Sequence, residues 1–353
     1  MEPGNARSPV VLFAVLDWGM GHATRTAPLI QSAIDAGWVV HVASKGTALA
    51  FLKSQFKAAR LQFHEKPGPE ITYARRAMLL KIAAQMPDFL QSIRRETAWT
   101  AALVERHGID RIVSDNCYGV HHPTVPAALI SHQLSLPVPL GLEGLARRFV
   151  RHHAAKFHSV WIPDDGELRF SGELAHAHRL KHTAFIGVLS RLDPAASPGP
   201  WKRVGMVSGP EPHRALMEDA LRKWMLAAGE PALLIAGRPG DAVATEGCVT
   251  TWPDPSAAEL SGALLGADTI VCRSGYSSLM DLAALGRRAV LIPTPGQPEQ
   301  IYLATHWARA FGMNTCTQRD LEFGRIPEMA GTAPSRRANH VAEMTLHAFV
   351  LNP

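Results

Sequence analysis

The chain opens on an unbroken apolar run at residues 10–16, VVLFAVL, passes through DWGMGHATR, and settles into a helical period over residues 24–36. An apolar run of strand length, a glycine turn and a 3.6-residue repeat predict strand, loop and helix. The same alternation predicts strands at 38–43, 60–64, 111–114 and 127–131, with helical stretches between them. Strands alternating with helices imply a parallel sheet covered on both faces, a doubly wound α/β architecture. A proline-rich segment at 190–201, SRLDPAASPGPW, interrupts the rhythm. Beyond it the pattern restarts, with strands expected at 203–208, 233–236, 269–272 and 289–293 and a helix at 211–228. The predicted organisation is therefore a first domain over 1–189, a linker over 190–201, a second domain over 202–335, and a terminal helix over 336–353 that packs back on the first domain. Short tandem repeats are absent, which excludes a solenoid.

Size and composition agree with this picture. A chain of 353 residues suits two domains, and 46% hydrophobic against 19% charged residues excludes a disordered chain. No apolar run is long enough to span a bilayer, and residues 1–9 show no signal-type pattern. Cys117, Cys248, Cys272 and Cys316 lack C-x-x-C spacing, so neither a disulfide framework nor a structural zinc site is expected. Together these features predict a cytoplasmic protein. The net charge of +5 belongs to residues 1–165, while residues 166–353 balance to zero. A basic first half suits a phosphate-bearing ligand or an anionic membrane surface, and equally a solvated face. Nucleic acid is not expected, because no recognition module is present and the basic residues lack aromatic interleaving. The stretch 71–107 combines Arg75, Arg76, Lys81, Arg94 and Arg95 with Met78, Leu79, Leu80, Ile82 and Phe89. It suits either peripheral contact with the inner face of a membrane or a helix pair with a solvated face, kinked at Pro87.

Candidate chemistry gathers where strands end. Gly19 and Gly21 permit a sharp turn and let a ligand approach the main chain, and a following helix offers free N–H groups to an anion. The G-x-G-x-x-R spacing lacks the third glycine of a dinucleotide fingerprint, so a nicotinamide cofactor is disfavoured and no cofactor is expected. His22 either takes a proton from an attacking hydroxyl or caps the helix, and Asp17 is its candidate partner. Arg25 lies in the same loop. The segment SDNCYGVHHP, 114–123, ends another strand, offering Asp115, Asn116 and Tyr118 to an acceptor, with His132 at the next strand end. His176, His178 and His182 match no standard metal-ligand spacing and are expected to be solvated.

The second half repeats the device. VSGPEPHR, 207–214, places Ser208 and Gly209 between strand and helix, with Pro212 in the first helical turn. RSGYSS, 273–278, makes a donor-rich turn from Arg273, Ser274, Gly275 and Ser277, and Asp281 follows about one helical turn later. Glu299 and Gln300 stand together near a helix start, suited either to vicinal sugar hydroxyls or to helix-start polarity.

Residues 267–304 resemble the C-terminal half of glycosyltransferase family 28, the MurG-like enzymes of the GT-B superfamily, and GMGHATR and SGPEP resemble the family's other glycine loops. The resemblance implies two doubly wound Rossmann-like domains facing across a cleft and a nucleotide diphosphate-sugar donor, with a UDP-linked one expected. Asp281 would then fall at the ribose, Glu299 and Gln300 at the donor sugar, and Ser208, Gly209, Arg273, Ser274 and Gly275 near the diphosphate. His22 would be the base that deprotonates an acceptor hydroxyl, with a lipid-linked acceptor as one candidate. Asp281 stands where the family has glutamate, so the resemblance is carried to the superfamily and not to a peptidoglycan role. No strand-end D-x-D is present to chelate Mg²⁺ under a diphosphate, which favours a metal-independent transfer, and the family implies inversion. A nucleotide-sugar hydrolase and a noncatalytic nucleotide- or sugar-binding protein are the alternatives.

Overall fold

A computed structural model describes residues 7–68, 85–138, 141–209, 211–238, 240–334 and 339–351. Of the basic stretch, residues 71–84 lie outside this set, including Arg75, Arg76, Met78, Leu79, Leu80, Lys81 and Ile82. The chain forms two compact units. The first runs through Leu168, takes in Glu173–Leu189 and resumes at Asn339; the second holds Arg169–Gly172 and the chain from Ser190 to the segment before Asn339.

The first unit is a seven-stranded parallel sheet in the order β3-β2-β1-β4-β5-β6-β7. Its strands are β1 (Val10–Val15), β2 (Val39–Ser44), β3 (Leu61–Glu65), β4 (Arg111–Asp115), β5 (Ala127–Ile130), β6 (Ser159–Ile162) and β7 (Thr183–Phe185). Every residue of β1 is buried, because helices cover both faces. Val11, Phe13 and Val15 point into a core with α1 (Met20–Asp35), α2 (Gly46–Gln55) and a terminal helix, Ala342, Leu346 and Val350 of the latter entering it at four-residue spacing. Val10, Leu12 and Ala14 meet α3 (Met86–His107) and α4 (Glu143–Ala154) on the other face. Pro87 lies in the first turn of α3, where its missing N–H costs no helical bond, so it starts the helix instead of kinking it. The last two strands of this sheet are short and were not anticipated from the pattern.

The second unit is a six-stranded sheet in the order β10-β11-β9-β8-β12-β13. Its strands are β8 (Arg203–Met206), β9 (Ala232–Ile235), β10 (Ala244–Glu246), β11 (Val249–Trp252), β12 (Thr269–Cys272) and β13 (Val290–Leu291), and only the β10–β11 pair is antiparallel. Its helices are α5 (His213–Ala228), α6 (Ala257–Gly266), α7 (Tyr276–Leu285), α8 (Pro298–Phe311) and α9 (Gln318–Glu322); the terminal helix of the first unit is α10 (His340–Leu351). Two details differ from the sequence expectation. The 190–201 segment is no free linker: Gly199 N donates to Gly262 O at 2.7 Å and Asp193 N to Ser261 Oγ at 2.9 Å. A Cβ on Gly266 would stand 2.0 Å from Gly199 O, so glycine there is what lets α6 accept this segment so closely. The excursion Arg169–Gly172 belongs to the second unit because Phe170 packs on Trp307 and Phe311 and its carbonyl accepts the Trp307 indole N–H at 2.7 Å.

Candidate active site

In a doubly wound sheet, ligands bind outside the carboxyl ends of the strands where the strand order reverses. In the first unit that point lies between β1 and β4, and His22, Arg25 and Asp115 gather there. Gly19 caps α1 at φ 86°, a conformation that favours glycine, and nothing lies within 4 Å of where its Cβ would be. The helix begins one residue later, at Met20, so Gly21 falls in its first turn and is not part of the loop.

His22 and Arg25, three residues apart on one face of α1, both turn toward Asp115, the last residue of β4. His22 Nδ1 lies 3.1 Å from Asp115 Oδ1. Arg25 Nε donates to Asp115 Oδ2 at 2.8 Å, its Nη2 contacts Oδ1, and Thr26 Oγ1 donates to Oδ2 at 2.7 Å. Burial opposes ionisation of Asp115, but the Arg25 guanidinium and His22 outweigh it and hold the carboxyl well below the usual range. Arg25 Nη2 also stands 2.9 Å from His22 Nδ1, and Arg25 Nη1 2.7 Å from His132 Nδ1. An arginine has only donors, so it would favour a bare Nδ1, whereas a carboxylate has only acceptors and favours Nδ1–H. The charge-assisted bond to Asp115 is the stronger, and Arg25 has both carboxylate oxygens and His132 as other acceptors. Nε2 of His22 is then the nitrogen left to take a proton.

This assembly revises several sequence expectations. The partner of His22 is Asp115; Asp17 instead faces Lys45, 3.7 Å from its Nζ. Asp115, Arg25 and His132 are buried, with Arg25 bonded to each of the other two, so they hold His22 in place and are withdrawn from the surface. Tyr118 is buried against Phe149 and His153, with burial pushing its phenol up to about 12, and belongs to the core. Thr26 was missed, although its place beside Arg25 on the helix face was legible once β4 was known to end at Asp115. Asn116, in a left-handed conformation at φ 57°, and Asp17 each have a buried side-chain oxygen with no partner among the described residues. The same holds for the Trp18 indole N–H. Two acceptors and a donor thus await partners at the strand ends that flank His22.

The reversal point of the second unit lies between β8 and β12. Ser208 and Gly209 follow β8, Gly209 with φ 98°, and α5 begins just beyond, at His213 after Pro212. Gly275 caps α7 with Ser277 in its first turn, and Glu299 lies in the first turn of α8. Three helix N-termini at one sheet edge make a setting suited to an anion. Thr294 was missed: its hydroxyl is buried without a partner among the described residues, 3.4 Å from where a Gly209 Cβ would be.

Three donor-side expectations change. Arg273 is fully buried and donates to the carbonyls of His213, Ile292 and Pro293 and to Gln318 Oε1, so it ties strand ends to α5 and α9 and is withheld from a diphosphate. Ser274 Oγ donates to Gln300 O at 2.8 Å. Gln300 is spent on its own loop, accepting from Thr294 N at 2.8 Å and donating to Gln297 Oε1 at 2.6 Å. Of the adjacent pair, Glu299 is the more exposed.

Asp281 accepts from Ser190 Oγ at 2.5 Å. Burial pushes its carboxyl up to about 6, against the Ser190 bond and the Arg191 charge, which pull it down. A folded-state pKa above the unfolded value means that the native state holds the proton more tightly. This contribution is complete below about pH 4 and is lost as pH rises through about 6, worth up to roughly 3 kcal/mol. Asp281→Asn should therefore be more stable than the parent at pH 7.5 and lose that advantage at pH 4, read as the denaturation midpoint in urea at the two pH values. A parent-minus-variant difference that does not change with pH would refute the shifted carboxyl.

Residues 257–337 match the model of the glycosyltransferase family 28 C-terminal domain. A UDP-N-acetylglucosamine–N-acetylmuramyl-(pentapeptide) pyrophosphoryl-undecaprenol N-acetylglucosamine transferase from Methylorubrum populi is 29% identical over 195 residues, 51% of this chain and 52% of that protein. The chain thus matches about half the length of that relative. Among solved structures, the glycosyltransferase SnogD from Streptomyces nogalater superposes with a TM-score of 0.61 at 14% identity, over 97% of this chain and 100% of its own. The spinosyn rhamnosyltransferase SpnG complexed with thymidine diphosphate gives 0.57 at 15% identity, over 97% and 96%. At such identities the likeness establishes the fold, which is GT-B.

Proposed function

From the match to the glycosyltransferase family 28 C-terminal domain, the MurG-like relative and the GT-B fold, we propose that the chain is a family 28 glycosyltransferase that moves a sugar from a nucleotide diphosphate-sugar to an acceptor hydroxyl, with His22 as the base. The observation that carries this reading is the His22–Asp115 pair at the strand-order reversal of the first unit, with its buried carboxylate held ionised. Nδ1–H of His22 donates to Asp115, Nε2 takes the acceptor's proton, and Asp115 stabilises the imidazolium that forms. The alkoxide attacks the anomeric carbon as the nucleotide diphosphate leaves, and a single displacement inverts that centre.

The second unit supplies the donor side in this proposal. Main-chain N–H groups at Gly209, Gly275 and Ser277, with the Ser208 and Thr294 hydroxyls, meet the diphosphate and stabilise the charge that develops on it. Glu299 meets the sugar and Asp281 the ribose. The nucleotide is proposed to be uridine diphosphate, from the relative's donor, and the transfer is proposed to need no divalent metal, since no D-x-D motif stands at a strand end.

The acceptor is proposed to carry a lipid. A groove of about 470 Å³ between α3 and α4 has Leu90, Ile93 and Phe149 in its wall and Arg94, Arg148 and Lys156 around it, suited to acyl chains beneath an anionic headgroup. No described helix is long and apolar enough to cross a membrane, so contact of this kind would be peripheral.

Calorimetric titration with UDP, dTDP and GDP tests the donor side. Binding of UDP, weakened at least tenfold in Glu299→Ala when UDP-sugars replace UDP, is the expected result. Failure of all three nucleotides to bind would overturn the donor assignment. Nucleotide release that proceeds equally with and without acceptor would favour hydrolysis instead.

A further inference from the structure

We propose that His41, His64 and His107 form a binding site for a divalent transition-metal ion, with zinc the best fit, in the first unit and apart from the His22 centre. The three residues are far apart in sequence, and the fold brings one nitrogen of each within 4.8 Å of the others. His41 comes from β2, His64 from β3 and His107 from the last turn of α3. The parallel register sets Ala43 beside His64, and side chains two apart on a strand share a face, so His41 and His64 both face the helix layer to which α3 belongs. Gly108 ends α3 in a left-handed conformation, fixing where His107 is presented.

The donor set selects the ion. Three imidazoles and no carboxylate suit zinc, copper or nickel and disfavour calcium and magnesium, which demand oxygen ligands. Three protein ligands leave a fourth tetrahedral position, and the partial exposure of His64 and His107 gives water a route to it.

The metal would replace a hydrogen bond. His41 Nδ1 and His64 Nε2 lie 2.8 Å apart in rings inclined by only 5°, so one N–H now points at the other ring's lone pair. Coordination moves that hydrogen to the far nitrogen of its own ring and frees both facing lone pairs, with no net change in protonation. Ligand nitrogens about 2.0–2.1 Å from a tetrahedral ion stand roughly 3.3 Å apart, so the pair must part by about half an ångström. Two of the three ligands are on partly exposed side chains at a strand end and a helix end, where such a shift is accommodated.

The test uses the full chain, without an affinity tag, stripped with chelator and titrated with Zn²⁺ and Co²⁺. One ion per chain is expected, with the visible absorption of four-coordinate Co²⁺ and a rise in melting temperature of several degrees. His64→Gln and His107→Gln should each weaken binding at least ~10-fold, while a His176→Gln/His178→Gln double variant, which alters the exposed histidine pair, should bind as the parent does. X-ray absorption on the parent's Co²⁺ complex should count three imidazole nitrogens, a readout that does not depend on the variants folding. Absence of saturable binding, or binding abolished only by the 176/178 variant, would overturn the proposal.

Discussion

His22→Gln should reduce the turnover number by two to four orders of magnitude while leaving nucleotide affinity within about twofold of the parent. The reasoning is local. Glutamine has the size to stay on the first turn of α1 but carries no group that takes a proton near neutrality. The donor groups belong to the other unit, so binding there should survive. Stability should change by no more than about 1 kcal/mol, because His22 is partly exposed and Asp115 keeps Arg25 and Thr26. Initial rates with acceptor, set beside calorimetric binding of UDP, separate the two effects. A variant that retains a tenth or more of the parent's turnover would remove His22 from the mechanism and leave the strand-end site as an acceptor pocket without its base.

Asp115→Asn should cost both activity and stability, and this double loss distinguishes it from the change at His22. An asparagine amide can turn its NH₂ toward the imidazole and stabilise the tautomer with hydrogen on Nε2, which cannot act as base. Turnover should again drop by two orders of magnitude or more. Meanwhile Arg25, buried at 2% exposure, keeps its charge and loses its counter-ion. Breaking a buried pair in this way costs about 3–5 kcal/mol, a large part of the roughly 5–15 kcal/mol that holds a domain folded. The sign with pH follows from the depressed carboxyl. Its contribution is full above the unfolded pKa and is lost progressively as pH falls from there through the folded one, so the variant's deficit should be full at pH 7 and begin to shrink below about pH 4. Urea midpoints at pH 7 and pH 3 measure this. A variant as stable as the parent at pH 7 would mean that Arg25 finds other acceptors and that Asp115 is not what holds the cluster together.

Much of the fold was legible because parallel strands covered on both faces must be apolar throughout. VVLFAV and TIVC stand out for that reason, and the β12 bounds agree with those read from the pattern. The short strands β7, β10 and β11 were not legible: three or four residues carry no period, and TAF and ATE are largely exposed. The two glycine loops and the histidine beyond the first were visible because a turn after a strand needs permissive residues close to a helix start. The partner of that histidine was not visible. Asp17 is five residues from His22 and Asp115 ninety-three, yet β4 lies beside β1 in the sheet and brings the distant residue within reach. Arg273 misled for a related reason, since an arginine in a serine-glycine turn resembles an anion ligand until its guanidinium is found buried among carbonyls.

By itself the sequence determined the alternation of strand and helix, the two-part organisation and the loops at which ligands can meet the main chain, all of which depend on local period and local backbone freedom. The tertiary structure decided which charges are spent internally and which remain available. Asp115, Arg25, Arg273 and Gln300 are withdrawn into buried networks, while Asn116, Asp17 and Thr294 have side-chain oxygens without a partner among the described residues at the strand ends. Burial and pairing depend on residues brought together across the sheet from tens of positions away, and a linear pattern contains no term for that distance.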